Sequence, residues 1–152
     1  MNWLELRFIP PLVTVVAGAA MALLSSCADE QWPSFLRLIL MVVFTLLGIS
    51  LALAAIVPYF RAGTTWHPTE PEQASTLITA GIYRFSRNPM YLALLIMLVG
   101  WGCWLGSLLS FLVLPFFLLY MTRFQIIPEE RALEQKFGES YLLYKRAVRR
   151  WL

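Results

Sequence analysis

Apolar positions in this chain fall in long uninterrupted stretches. Phe8 to Ala28, Leu38 to Phe60 and Asn88 to Thr122 carry no Asp, Glu, Lys or Arg over 21, 23 and 35 residues. The first two match the roughly 20 apolar residues that an α-helix needs to cross a bilayer. The third is too long for one crossing, at roughly 52 Å against a hydrocarbon core of ~30 Å. It reads as a hairpin of two short helices, turning among Gly100, Gly102, Gly106 and Ser107. Arms this short suit a thinned bilayer or a hairpin that stops before the far surface. The pattern predicts one all-α, polytopic membrane domain over residues 1–152. Its spans fall at about 8–26, 37–60, 89–104 and 106–122, with a loop at 61–88 and a tail at 123–152. Pro10-Pro11 suits the start of the first helix. Ala17 to Ala20 resembles a cleavage region, but Glu5 offsets Arg7 before it and further spans follow, so the first stretch reads as a retained span.

Composition agrees. Of 152 residues, 59% are hydrophobic and 14% charged, too apolar for a water-soluble globule or a disordered chain. Twelve Lys and Arg against nine Asp and Glu leave a small excess, which is no nucleic-acid footprint. One His and two Cys, widely separated, do not make a structural metal site. Cys27 and Cys103 read as packed free thiols near one face of the membrane.

The distribution of Lys and Arg predicts the orientation. The first connection and the hairpin turn carry none. The second connection carries Arg61, Arg84 and Arg87, and the tail carries seven from Arg123 to Arg150. Four spans with both termini in the cytoplasm satisfy the positive-inside rule. All the polar chemistry then lies on the cytoplasmic side, and the lack of targeting signals suits a bacterial inner membrane.

Two polar segments carry the candidate chemistry. Residues 61–90 contain Pro68, Pro71, Gly63 and Gly81, which argues for an irregular loop, and loops of this length are often functional. Its apolar members, from Trp66 to Phe85, predict an ordered, packed loop; His67 reads as polar filler. In the tail, Pro128-Glu129-Glu130 reads as a helix start with acids at the positive dipole end. Leu133, Phe137, Tyr141, Tyr144, Val148 and Trp151 form a helical stripe, bent or divided at Gly138. Lys145, Arg146, Arg149 and Arg150 on the other face suit a helix lying on an anionic membrane surface.

Ser75 to Tyr83, then Arg87-Asn88-Pro89-Met90-Tyr91, an apolar hairpin, Glu129-Glu130 and Phe137-Gly138 form an ordered set. This set resembles the isoprenylcysteine carboxyl methyltransferases and the related phospholipid methyltransferases, over about half the chain. The resemblance implies an S-adenosylmethionine-dependent membrane enzyme acting on a lipidic or lipid-linked acceptor. It implies a cofactor pocket lined by Ser75, Thr76, Leu77, Ile78, Tyr83, Asn88, Pro89, Met90, Tyr91 and Glu129. Tyr83 and Tyr91 would offer ring faces to a sulfonium or adenine, and Glu129 would accept from ribose hydroxyls or an ammonium. Arg87 and Arg123 are candidates for orienting an anionic acceptor or a headgroup phosphate. Asn88 stands where the family pattern has His, and Gln125 where the eukaryotic carboxyl methyltransferases have an Arg that holds the substrate carboxylate. No dedicated base is evident, which leans towards a carboxylate, thiol or neutral acceptor. The alternatives are a phospholipid N-methyltransferase, a sterol-reductase-like enzyme using NADPH, and a membrane scaffold without catalysis.

Overall fold

The computed structural model describes Leu6 and residues 8–27, 32–63 and 75–152. Trp66 and His67 lie outside these residues. Among the described residues every regular element is helical. The elements are α1 (Pro10–Ser25), α2 (Ser34–Ala62), a 3-10 turn (Gly81–Arg84), α3 (Pro89–Leu105), a 3-10 turn (Leu108–Leu112), α4 (Val113–Met121), a π turn (Thr122–Ile126), α5 (Ile127–Phe137) and α6 (Glu139–Ala147).

Two helical runs are long and apolar enough to cross a membrane, Ser34–Ala62 and the continuous run Leu108–Phe137. At 1.5 Å per residue α2 is about 44 Å long, while α1 and α3 reach only about 24 and 26 Å against a ~30 Å core. The expected first and third spans therefore appear as apolar helices of 16 and 17 residues. Only 11% of the apolar window of α2 is buried inside the protein. Phe35, Leu38, Ile39, Leu46, Leu47, Leu53 and Phe60 face outwards. A large exposed apolar surface of this kind is what a lipid-facing helix presents.

α2 packs most extensively on α3, and α1 lies against α3, α4 and the 3-10 turn before α4. The core is Ala17, Met21, Tyr91, Leu98, Phe117, Met121 and Ile126, drawn from four elements. Gly48 makes the close approach of α2 to α3 possible. A Cβ there would lie 2.6 Å from Met97 Cγ and 3.1 Å from the Ala93 carbonyl oxygen. The expected hairpin turn is found at Gly106, which ends α3 in the left-handed region at φ 68°. Its open face is covered by Arg37, whose guanidinium lies 5.9 Å from the Trp104 ring centre. Arg37 belongs to the first turn of α2, so this helix is longer than its charge-free stretch.

Two expectations for the tail are corrected. Pro128 does not begin a helix. Ile126 and Ile127 already have helical angles, and α4, the π turn and α5 form one continuous run. Proline removes an N–H from the ladder one turn back, and the π turn absorbs this. The Phe124 carbonyl is taken instead by the Leu6 N–H at 3.0 Å. Glu129 and Glu130 are therefore not placed at a free helix dipole. The second correction concerns the helical stripe. Gly138 does divide the tail, but α6 ends at Ala147 and Val148 is extended at φ −125°, ψ 136°. Val148 and Trp151 thus leave the helical face, and the chain turns back as a strap. Cys27 and Cys103 are unpaired, the first exposed and the second buried.

The α2–α3 contact makes a direct test. Gly48→Val forces a branched side chain onto backbone and should lower stability by about 1–3 kcal/mol. Thermal unfolding in detergent should show a reduced midpoint, whereas Leu46→Val on the lipid-facing side should leave it within error.

Candidate functional site

Tyr83, Asn88, Pro89, Tyr91 and Glu129 lie where α2, α3 and α5 meet the loop and the tail. Pro89 starts α3, its ring fixing φ at the first helical position where no N–H is needed. That start turns Tyr91 inwards, where it is buried and its hydroxyl donates to the Glu129 carboxylate. The π turn sets the register of α5 that brings Glu129 to Tyr91. Tyr83 in the 3-10 turn is buried and donates to the Ala55 carbonyl at 3.3 Å. That carbonyl lies one turn before Pro58, inside α2. Tyr59 meets the Tyr83 ring edge-on, with centres 5.8 Å apart. The Tyr91–Glu129 contact and the Tyr59–Tyr83 ring pair thus join α2, α3, α5 and the loop.

A second layer lies beside the first. Glu130 is 5% exposed and is the centre of an ion cluster. Arg87 Nη2 lies 3.0 Å from Glu130 Oε1. Arg150 donates to both oxygens, Nε at 3.0 Å and Nη2 at 2.8 Å. Lys145 lies 3.8 Å from Glu130 Oε2 and pairs more closely with Glu134. The forked geometry of Arg150 on a carboxylate is the strong form of such a pair.

The tail strap secures the entry to α3 through main-chain groups. The Arg149 carbonyl accepts from the Arg87 N–H at 3.0 Å. The Arg150 carbonyl accepts from the Asn88 side-chain amide at 2.9 Å and from the Ser86 hydroxyl at 3.4 Å. The Trp151 indole donates to Thr122 in the π turn at 3.2 Å. Tyr144 in α6 donates to the Tyr83 carbonyl at 2.7 Å and so holds the loop to the tail.

The titration behaviour fits a dry site. Burial pushes the Tyr83 phenol well above its usual range, with Tyr59 adding to it. Burial does the same at Tyr141, helped by Glu130, and at Tyr144, helped by Tyr59. The hydrogen bond to Glu130 raises the Arg150 guanidinium still further. At neutral pH these phenols are hydrogen-bond donors and ring faces, not bases.

Several expected residues come together and others stand apart. Tyr83, Tyr91, Glu129 and Pro89 are in or beside the aromatic cluster, and Asn88 and Arg87 sit where the strap meets α3. Leu77, Ile78 and Met90 are half-buried, while Ser75 and Thr76 are exposed at the start of the described part of the loop. Arg123 in the π turn lies over the Phe124 ring at 5.5 Å. Gln125 is fully buried, and its amide nitrogen donates to the Phe8 carbonyl. Tyr59 joins the site without having been singled out, and Glu130, Tyr144 and Arg150, noted in other roles, join it too. The Tyr144 position on the apolar stripe was a visible signal. Arg150 looked like part of a surface-anchoring face, and its pairing with Glu130 corrects that reading for this residue.

Residues 36–140 match the family model described as phospholipid methyltransferase. An uncharacterised protein of Haemophilus influenzae is 51% identical over 63 residues, covering 41% of this chain and all of that protein. Protein-S-isoprenylcysteine O-methyltransferase A of Arabidopsis thaliana is 35% identical over 123 residues. That match covers 79% of this chain but only 59% of the length of the plant protein. No solved structure matches the chain at a significant level.

The ion cluster predicts a large effect at its centre. Glu130→Gln leaves Arg87 buried without its counter-charge and should cost about 3–5 kcal/mol of stability. Arg150→Gln should cost much less, because that side chain is one-third exposed. Chemical and thermal unfolding of the two variants in one detergent should rank them in this order.

Proposed function

The chain belongs to the phospholipid methyltransferase family, and from that premise we propose that it moves the methyl group of S-adenosylmethionine to a lipidic or lipid-linked acceptor at the cytoplasmic membrane face. The observation that carries this reading is the buried Tyr91–Glu129 pair, which with the Tyr59–Tyr83 ring pair lies inside the matched region. S-adenosylmethionine supplies an electrophilic methyl on a sulfonium. The residues present suit it. Tyrosine ring faces attract a cation in a dry site, and the Glu129 carboxylate has capacity beyond the Tyr91 hydroxyl for ribose hydroxyls or an ammonium.

In this reading Ser75 to Ile78, Tyr83, Asn88 to Tyr91 and Glu129 hold the donor. Asn88 uses its amide nitrogen on the Arg150 carbonyl, which leaves its oxygen to face a ligand. The chain's contribution is to align two reactants and exclude water, which accounts for much of the acceleration of a displacement of this kind. The donor enters from the cytoplasm and the acceptor laterally from the bilayer. A groove of about 320 Å³ lined by Phe8, Leu12, Val13, Val16 and Tyr120 offers a seat for its hydrocarbon chain. Arg87 and Arg123 are the candidates to orient an anionic acceptor or a headgroup phosphate.

A second reading concerns the acceptor atom, and Gln125 favours it. Because the Gln125 nitrogen serves the Phe8 carbonyl, its Oε1 is a buried acceptor with no hydrogen-bond partner among the described residues. An acceptor at this position suits a head group that donates, such as an amine or hydroxyl, better than a carboxylate. An amine must lose its proton to react; a carboxylate need not.

Incubation with methyl-labelled donor and total membrane lipid and protein tests the function. Label should enter a lipid-extractable or lipid-linked fraction; release by mild base identifies an ester, and retention identifies an N-methyl product. Tyr91→Phe should weaken donor binding about 2- to 10-fold, in line with the net worth of one hydrogen bond. Binding of NADPH with no binding of S-adenosylmethionine in calorimetry would overturn the reading.

The proposed arrangement has four spans and both termini in the cytoplasm. Exposed Cys27 should then react with a membrane-impermeant maleimide in right-side-out vesicles and be protected in inverted ones.

A further inference from the structure

Arg87 is the most confined cation in the described part of the molecule for which a partner is missing. Its side chain is 7% exposed, and Nη2 is committed to Glu130. Nε and Nη1 are buried and have no hydrogen-bond partner among the described residues. A guanidinium has five N–H donors and does not deprotonate in proteins. A buried charge without full pairing is costly.

The neighbouring charges do not balance it. Glu130 is shared between Arg87 and Arg150, and Lys145 is matched by Glu134. Among the described residues of this cluster, one positive charge remains without a negative one. The backbone leaves Arg87 little freedom to turn away, because its N–H is held by Arg149 and the next residue by Arg150. The layer formed by Arg87 and Glu130 lies one residue in sequence from that formed by Tyr91, Glu129 and the Asn88–Pro89 turn.

We propose that Arg87 is an oxyanion subsite of the methyltransferase site, its Nε and Nη1 binding a carboxylate or phosphate oxygen of a bound reactant. This rests on the methyltransferase reading above. Two sources carry this chemistry: the amino-acid carboxylate of the donor, and the phosphate of a lipid head group. Glu130 acts on Arg87 as a positioning residue and does not touch the reactant.

Calorimetry on the full chain in nanodiscs separates the sources. The probes are S-adenosylhomocysteine, 5′-methylthioadenosine, which lacks the amino-acid end, and a short-chain phosphatidic acid. They are compared on wild type, Arg87→Gln and Arg87→Lys, with thermal unfolding recorded for each. A carboxylate subsite predicts that Arg87→Gln weakens S-adenosylhomocysteine about 10- to 100-fold and leaves methylthioadenosine unchanged, with partial rescue in Arg87→Lys. A phosphate subsite predicts unchanged nucleosides and a similar loss for phosphatidic acid. Equal losses for both nucleosides, or no loss for any probe, overturn the proposal. If wild type binds neither nucleoside, the methyltransferase reading fails by itself. Loss of phosphatidic acid binding in Arg87→Gln then still upholds the oxyanion subsite, and its retention overturns it. Should Arg87→Gln fail to fold, Arg87→Lys decides: it keeps the charge but loses the fork, so an unchanged S-adenosylhomocysteine and phosphatidic acid affinity overturns the proposal.

Discussion

The carboxylate of Glu130 is the constraint on which the polar half of this protein depends. It is buried, so it must be neutralised, and the cations that do so come from the turn before α3, from α6 and from the tail strap. Three segments separated in sequence are thereby tied to α5. Removing water strengthens each of these attractions and raises the cost of losing one. The site is therefore assembled by charge in a place where the apolar bundle alone would not specify how the segments meet.

The aromatic layer beside it depends on a different device. Proline in a helix would usually leave a carbonyl bare and the run bent. Here the π turn at Thr122–Ile126 shifts the register ahead of Pro128, and the Leu6 N–H fills the place of the missing donor. The result is a helix that leaves the apolar region and enters the polar one without a break. Glu129 and Glu130 follow on adjacent positions and so face different neighbours, Tyr91 for one and Arg87 for the other. π turns are frequent at functional sites, and in this chain the turn also holds Gln125 against Phe8.

Much of this architecture was legible from residue order. Uninterrupted apolar stretches located α1, α2 and the α3–α4 hairpin, Gly106 ended α3, and Gly138 divided the tail. The arrangement Asn88 to Tyr91 followed by Glu129 named a carboxyl and a ring that the fold brings into contact. What escaped has physical reasons. The strap acts through the carbonyls of Arg149 and Arg150, and a carbonyl is the same on every residue, so no side-chain pattern announces it. Pro128 carries the same letter whether it starts a helix or sits over a π turn. The difference lies in a donor more than a hundred residues away. Basic residues in the tail looked like a surface-binding face because Arg150 and Arg149 are neighbours; one is paired with Glu130 and the other is exposed.

The strap also orders events in time. Asn88 and Arg150 are 62 residues apart in sequence, and Ser86 and Arg150 are 64 apart. At ~5–20 residues per second of synthesis, the turn before α3 exists for roughly 3–12 s before its carbonyl partners have been made. During that interval the amide of Asn88 and the hydroxyl of Ser86 lack the Arg150 carbonyl and can turn to water or lipid head groups. The hydrocarbon helices can enter the bilayer and pair meanwhile, since α1, α2 and the hairpin all precede the strap in sequence. Maturation of the polar site is thereby uncoupled from membrane insertion, and a ribosome-bound chain carries the bundle before it carries the chemistry.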